Sequence, residues 1–263
     1  MPDESKIFNF LAMSALIFLF IFFIALIASI FIYVTPSELV SSFFSEEIVF
    51  SIKLSMATAT IATLACAIVS IPAAYALSRF NFPGKKAIDV VLYLPIGMPP
   101  VALGAALLMF FGTPVGKTVE LLTTRFVFEV PGIILAQFTI IGGLATKILK
   151  STFDGIDPEY EFVARTLGCN SFQAFYKIAL PLSKNGVITA LTITWVRALG
   201  EFGATIMLAG ATRMKTETLP VAIFLSLQTA DVVKMSAVIL IMVGACLLAL
   251  LIIQKLGRGW PEI

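Results

Sequence analysis

Two charged residues stand inside an otherwise apolar run: Arg197 and Glu201, in the stretch WVRALGEFGAT from Trp195 to Thr205. Residues four apart share one face of a helix, and each charge left alone near a bilayer centre costs about 2.5–3.5 kcal/mol on insertion scales. The two therefore pair or face protein, as glue between helices or as part of a transport path. Gly200, Gly203, Ala204 and Thr205 beside them let a neighbouring helix approach closely. A second stretch with chemical promise is GTPVGKT, Gly112 to Thr118. A phosphate cradle needs four residues between its glycines, after a strand and before a helix, because that length sets the curvature of the backbone N–H groups. Only three residues separate Gly112 from Gly116, so the stretch reads as an ordinary turn. With no histidine in the chain, His-based acid–base chemistry and His metal ligation are excluded. Cys66, Cys169 and Cys246 have no paired spacing, so neither a disulfide framework nor a zinc site is expected.

Prolines mark another candidate. Pro95, Pro99 and Pro100 each lack an N–H and place a ring against the preceding turn, so they cannot sit in an unbroken helix. Inside a bilayer such a break survives only where protein or water satisfies the freed carbonyls. The stretch from Pro95 to Gly104 is therefore a candidate pathway wall built on a discontinuous helix, with a simple packing kink as the alternative.

The elements that must position these residues are membrane helices. Of 263 residues, 59% are hydrophobic and 13% charged, with a mean hydropathy of +1.01, whereas about a quarter of the residues in ordinary soluble domains are charged. A spanning helix takes about 20 residues. Apolar runs at about 7–34, 48–77, 87–111, 131–149, 186–210 and 232–253 predict an all-α polytopic protein of six spans, with one membrane domain over 1–263 and no room for a soluble catalytic domain. The first run is too long for a signal-peptide core and reads as a retained helix.

Orientation follows Lys and Arg. With the N-terminus inside, the inner side collects Lys6, Arg79, Lys85, Lys86, Lys147, Lys150, Arg165, Lys177, Lys184, Lys255 and Arg258, and the outer side Lys53, Lys117, Arg125, Arg213, Lys215 and Lys234. Both termini are then cytoplasmic and the protein is a multi-pass component of the cell membrane, in contact with lipid. The net charge of +2 argues for no partner, nucleic acid included. The outer connections 112–130 and 211–231 are long enough for a docking surface.

The inner segment 151–185 is the long, mixed-polarity exception in a chain with short connections, and such loops carry function. Asp157 as N-cap and Pro158 at the first turn start a helix, favoured by Glu159 and Glu161 at its positive end. Tyr160, Val163, Ala164 and Leu167 repeat at helical spacing and Gly168 ends the helix. A second short helix places Phe172, Phe175, Tyr176 and Ala179 on one side. On pattern alone, a connector helix at the lipid interface is the plain alternative.

The stretch EFVARTLGCNSFQAFYKIALP, Glu161 to Pro181, resembles the cytoplasmic coupling loop of ABC importer permeases, with Gly168 and the closing Ile178, Leu180 and Pro181 at family positions. The family motif opens Glu-Ala-Ala; here Phe162, Val163 and Ala164 stand there, with Glu161 one position earlier, and Arg165 follows. The salt bridge of the family's Glu therefore does not carry over unchanged. Trp195, Arg197, Ala198, Gly200, Glu201, Phe202, Gly203 and Ala204, together with LPIGMPPVALGAALL from Leu94, resemble the permeases of the molybdate, tungstate and sulfate group.

That resemblance implies a homodimer around a central path, two ATP-binding cassette subunits docked on the inner loops, and an extracytoplasmic oxyanion-binding protein on the outer loops. ATP and Mg would be used by the partner ATPase, with no cofactor on this chain and no catalytic residue or metal site. Molybdate or tungstate is favoured as cargo, with sulfate or thiosulfate as the alternative. An ATP-independent channel or secondary carrier is the reading from another class, disfavoured because carriers place ionisable residues on several spans. For a dianion in transit, weak neutral donors suit release better than a fixed lysine. Thr189, Thr192, Thr194, Ser55, Thr58, Thr60 and Thr63 supply hydroxyls, and are equally good packing residues.

Overall fold

The computed structural model describes residues 2–257, whose regular elements are all helices, with no strand among the described residues. Arg258, counted above on the inner side, lies outside the described residues. An apolar helix α1 (Pro2–Ile30) leads through α2 (Pro36–Phe43) to α3 (Glu46–Arg79). Thr35 and Glu38 form a capping box at the start of α2, and Ser45 caps α3. The chain then runs through α4 (Lys85–Val91), α5 (Leu94–Gly97), α6 (Pro100–Gly112) and α7 (Pro114–Leu122) to the long α8 (Val130–Asp154). The inner segment contributes α9 (Glu159–Thr166), α10 (Ser171–Ala174), a π-helical turn at Phe175–Ala179 and α11 (Leu180–Leu182). The chain closes with α12 (Lys184–Leu199), α13 (Gly203–Ala209), α14 (Leu219–Gln228) and α15 (Val232–Gly257).

The core is a pairing of α3 with α8, flanked by α12 on both and by α13 on α8. Lipid tails give apolar helices no reason to associate, so close approach of small residues and hydrogen bonds must do it. Ala59, Ala62, Cys66 and Ala74 on α3 and Ala136 and Ala145 on α8 are buried. Ser70 Oγ donates to the Gly142 carbonyl across that seam at 3.4 Å. In contrast α1 buries none of its apolar stretch within the chain.

Several helix bounds differ from those predicted. Among the described residues, four helices are long and apolar enough to span: α1, α3, α8 and α15. The predicted third span, 87–111, is a bent pair, with Lys85–Gly97 and Pro100–Gly112 meeting at 110°. The predicted fifth, 186–210, is split into α12 and α13, so Arg197 lies on a helix and Glu201 in the break beyond it. The loop expected over 151–185 starts later than 151, because α8 continues to Asp154. Part of the outer connection 211–231 is α14, whose Leu219, Pro220, Val221, Ala222 and Ser226 are buried. GTPVGKT is the end of α6 and the start of α7: the Thr113 hydroxyl accepts from Gly116 N–H at 3.1 Å. A Cβ on Gly116 would lie 2.2 Å from the Phe110 carbonyl oxygen, so close packing explains the glycine.

Candidate functional site

The two broken segments lie against each other. Met98 and Pro99, each followed by proline, are extended at ψ 144° and 132°, because a proline ring pushes the residue before it out of the helical region. Pro100 then opens α6, where a missing N–H is harmless. Pro95 falls in the first turn of α5 and causes no break. The start of α6 packs on α13: a Cβ on Gly104 would lie 2.6 Å from Ala204 Cα, and one on Gly203 would lie 3.0 Å from Pro100 Cβ and from Val101. Gly104, Gly203 and Pro100 are thus brought together. Gly200 meets only its own helix, and Pro95 sits beside Gly143 of α8.

Polar groups answer the backbone freed by the second break. Gln137 of α8 donates through Nε2 to the Ala198 carbonyl at 3.0 Å. Glu201, 1% exposed, accepts from Ala204 N–H at 2.9 Å and from Arg197 Nη1 at 2.7 Å. The pair expected from spacing exists, though as a bridge from helix end to break rather than along one helix face. Gln137 Oε1 and Thr205 Oγ1 remain buried without a protein partner. Among the other hydroxyls, Ser55 Oγ accepts from Leu219 N–H at 2.7 Å, and Thr60 Oγ1 from Trp195 Nε1 at 3.1 Å. Thr192 and Thr194 bond back to their own helix, and Thr63 Oγ1 is buried without a partner.

In the loop between α8 and α12, Asp157 Oδ1 accepts from Glu159 N–H at 2.9 Å, and Pro158 precedes α9 by one position. Gly168 ends the helix at φ +96°. Gly168 N–H donates to Arg165 O and Cys169 N–H to Ala164 O, both at 3.1 Å, the paired bonds of a Schellman cap. The predicted apolar face is largely outward: Tyr160, Val163 and Leu167 are exposed and only Ala164 is buried. Phe162, Phe172, Tyr176 and Arg165 are exposed as well. The residue turned inward is Glu161. Phe175 faces inward too, its ring 4.6 Å from Tyr75 of α3, which in turn lies 5.7 Å from Phe153 of α8. The closing Ile178 and Leu180 are half-buried and Pro181 exposed.

Sequence reasoning missed the partners of Glu161. Arg79 Nε donates to its Oε1 at 2.8 Å, with both side chains about nine-tenths buried, and the Tyr75 hydroxyl donates to Oε2. Arg79 Nη2 reaches the Ile156 carbonyl at 2.8 Å and Nη1 the Ser78 hydroxyl at 3.1 Å; Ser78 in turn donates to Asp154 Oδ1 at 2.6 Å. The available signal was Tyr75 and Arg79, four apart at the C-terminal end of α3. Lys147 is likewise enclosed, 2.5 Å from Asp89 Oδ1 and 3.4 Å above the Tyr93 ring.

Known proteins resemble this chain in sequence and in fold. The family described as binding-protein-dependent transport system inner membrane component matches residues 67–260. A probable molybdenum ABC transporter permease protein of Haloferax volcanii is 34% identical over 86% of this chain and 81% of its own. The sulfate transport system permease protein CysT of Escherichia coli is 30% identical over 81% of this chain and 77% of its own. In fold, the chain is similar to one in the crystal structure of a bacterial alginate ABC transporter in complex with alginate pentasaccharide-bound periplasmic protein. There the TM-score is 0.74 at 18% identity, covering 97% of this chain and 93% of that one. With inner loop, broken helices and buried charges all in place, the chain belongs to the family of binding-protein-dependent transport system inner membrane components.

Proposed function

We propose that this chain is the membrane-spanning permease of an ABC importer for a tetrahedral oxyanion, molybdate or tungstate in preference to sulfate. The observation that carries the reading is the inner segment from Gly155 to Ser183. It presents Phe162, Val163, Leu167, Phe172 and Tyr176 to the cytoplasm while Arg79 holds Glu161 and the Ile156 carbonyl near its start, which suits a surface for another protein. ATP and Mg belong to two ATPase subunits seated on the paired inner loops, and an extracytoplasmic binding protein delivers the anion to the outer face. A second copy of the chain completes the path, with residues 1–263 acting as one permease domain and both termini inside. In this reading the meeting of α6 with α13 at Gly104, Gly203 and Ala204 is the gate.

Cargo preference is supported by the identity to the molybdenum permease relative, the higher of the two quoted. Pairing of Lys147, Arg79 and Arg197 with Asp89, Glu161 and Glu201 fits an anion conduit, since a bare cation would hold the cargo. The test is competition during uptake by the complete transporter. Excess tungstate should abolish radiolabelled molybdate uptake and equal sulfate should leave it intact; equal inhibition by sulfate would make this a sulfate permease.

A further inference from the structure

We infer that Arg79 and Tyr75 are positioning residues that bolt the inner loop to α3, so that a displacement of the loop is delivered to that helix as a unit. This rests on the ATPase-docking reading of the loop and adds where the motion goes. By covalent connection the loop continues only α8 and α12; nothing in the chain order ties it to α3. The tie is made by side chains. Arg79 holds Glu161 on α9 through Nε and the Ile156 carbonyl at the loop's start through Nη2, while Tyr75 takes the other oxygen of Glu161. Both oxygens are therefore occupied inside the chain, and the Glu161 and Arg79 side chains are only 9% and 10% exposed. A docking protein meets Phe162, Val163 and Leu167 instead.

The helix that receives this bolt also reaches the outer face. Glu47, at the other end of α3, pairs with Lys234 of α15 and, at 3.7 Å, with Arg213 of the outer 210–218 turn. The 34 residues of α3 rise about 1.5 Å each, so one rod, interrupted only by Pro72, carries ties at both membrane faces. Such a packed element, biased from both ends, is a physical route for coupling two sites.

The experiment uses the full transporter in proteoliposomes, permease with its ATPase and binding protein, comparing wild type with Arg79→Ala, Arg79→Lys and Tyr75→Phe. ATPase retained on purification, ATP hydrolysis rate and molybdate delivered per ATP are read together. Arg79→Ala should keep the ATPase bound and hydrolysing, while molybdate per ATP falls about tenfold, within the range usual for coupling between sites. Arg79→Lys should recover much of that loss and Tyr75→Phe should lose less than Arg79→Ala. A further variant, Arg79→Cys with Glu161→Cys in a background with Cys66, Cys169 and Cys246 replaced by serine, should regain coupling when bridged by a short bismaleimide. An unchanged ratio in Arg79→Ala, loss of the ATPase from that variant, or no recovery on bridging would each overturn the bolt. A wild-type chain that retains no ATPase would instead overturn the docking reading, and the bolt with it.

Discussion

Glu161 and Glu201 are two buried carboxylates with one physical solution, each answered by an arginine and by a second donor. Removing the acceptor leaves the donors unpaired, at a typical cost of about 1–3 kcal/mol. Glu201→Ala should therefore lower the melting temperature in detergent clearly, and Glu201→Gln, which still accepts from Ala204 N–H, by less; identical melting of the alanine variant and wild type would contradict the assignment. The glycines differ in the same concrete way. Gly104→Ala sets a methyl 2.6 Å from Ala204 Cα, whereas Gly97 has nothing within 4 Å. Overpacking costs about 1–3 kcal/mol, so Gly104→Ala should destabilise in a thermal melt and Gly97→Ala should not. The Arg197–Glu201 pair was legible because its partners are four apart. Arg79 and Glu161 are 82 apart in sequence, and only the packing of α3 against α8 brings them together.

At the scale of elements, local chemistry and tertiary support divide the outcome. The bend at Met98–Pro99 was legible because prolines dictate their predecessors' backbone. The break at 200–202 carries no proline; Gln137 from α8 and the Glu201 cap stabilise it from outside the segment, so its sequence reads as one apolar run. At ten residues, α14 is too short for a span, and the polar residues before it hid it in the outer connection. The inner loop was legible at its ends and in its apolar stripe: Tyr160, Val163 and Leu167 are exposed, and of the four residues at helical spacing only Ala164 is buried. Its Schellman cap gives a direct test. Proline at 168 cannot adopt φ +96° and has no N–H for Arg165 O. Gly168→Pro should leave the protein inserted in the membrane while ATPase co-purification falls. Normal retention of the ATPase would argue against this loop as its seat.

For the whole molecule, membrane character and helical class follow from hydropathy alone, while the number of clean spans does not. Among the described residues, four long helices and one bent pair are present where six runs were predicted, because two of those runs are broken where α6 and α13 meet. A helix broken inside the bilayer must be supported by its neighbours, and here the two breaks pack on each other where Gly203 meets Pro100 and Val101. The chain as a whole is proposed as a passive conduit whose energy comes from elsewhere. The direct test is molybdate uptake into proteoliposomes holding the permease alone, with the ATPase, and with ATPase plus binding protein. Uptake should occur only in the last set and only with ATP hydrolysis; uptake by the permease alone, driven by a proton gradient without ATP, would contradict the account.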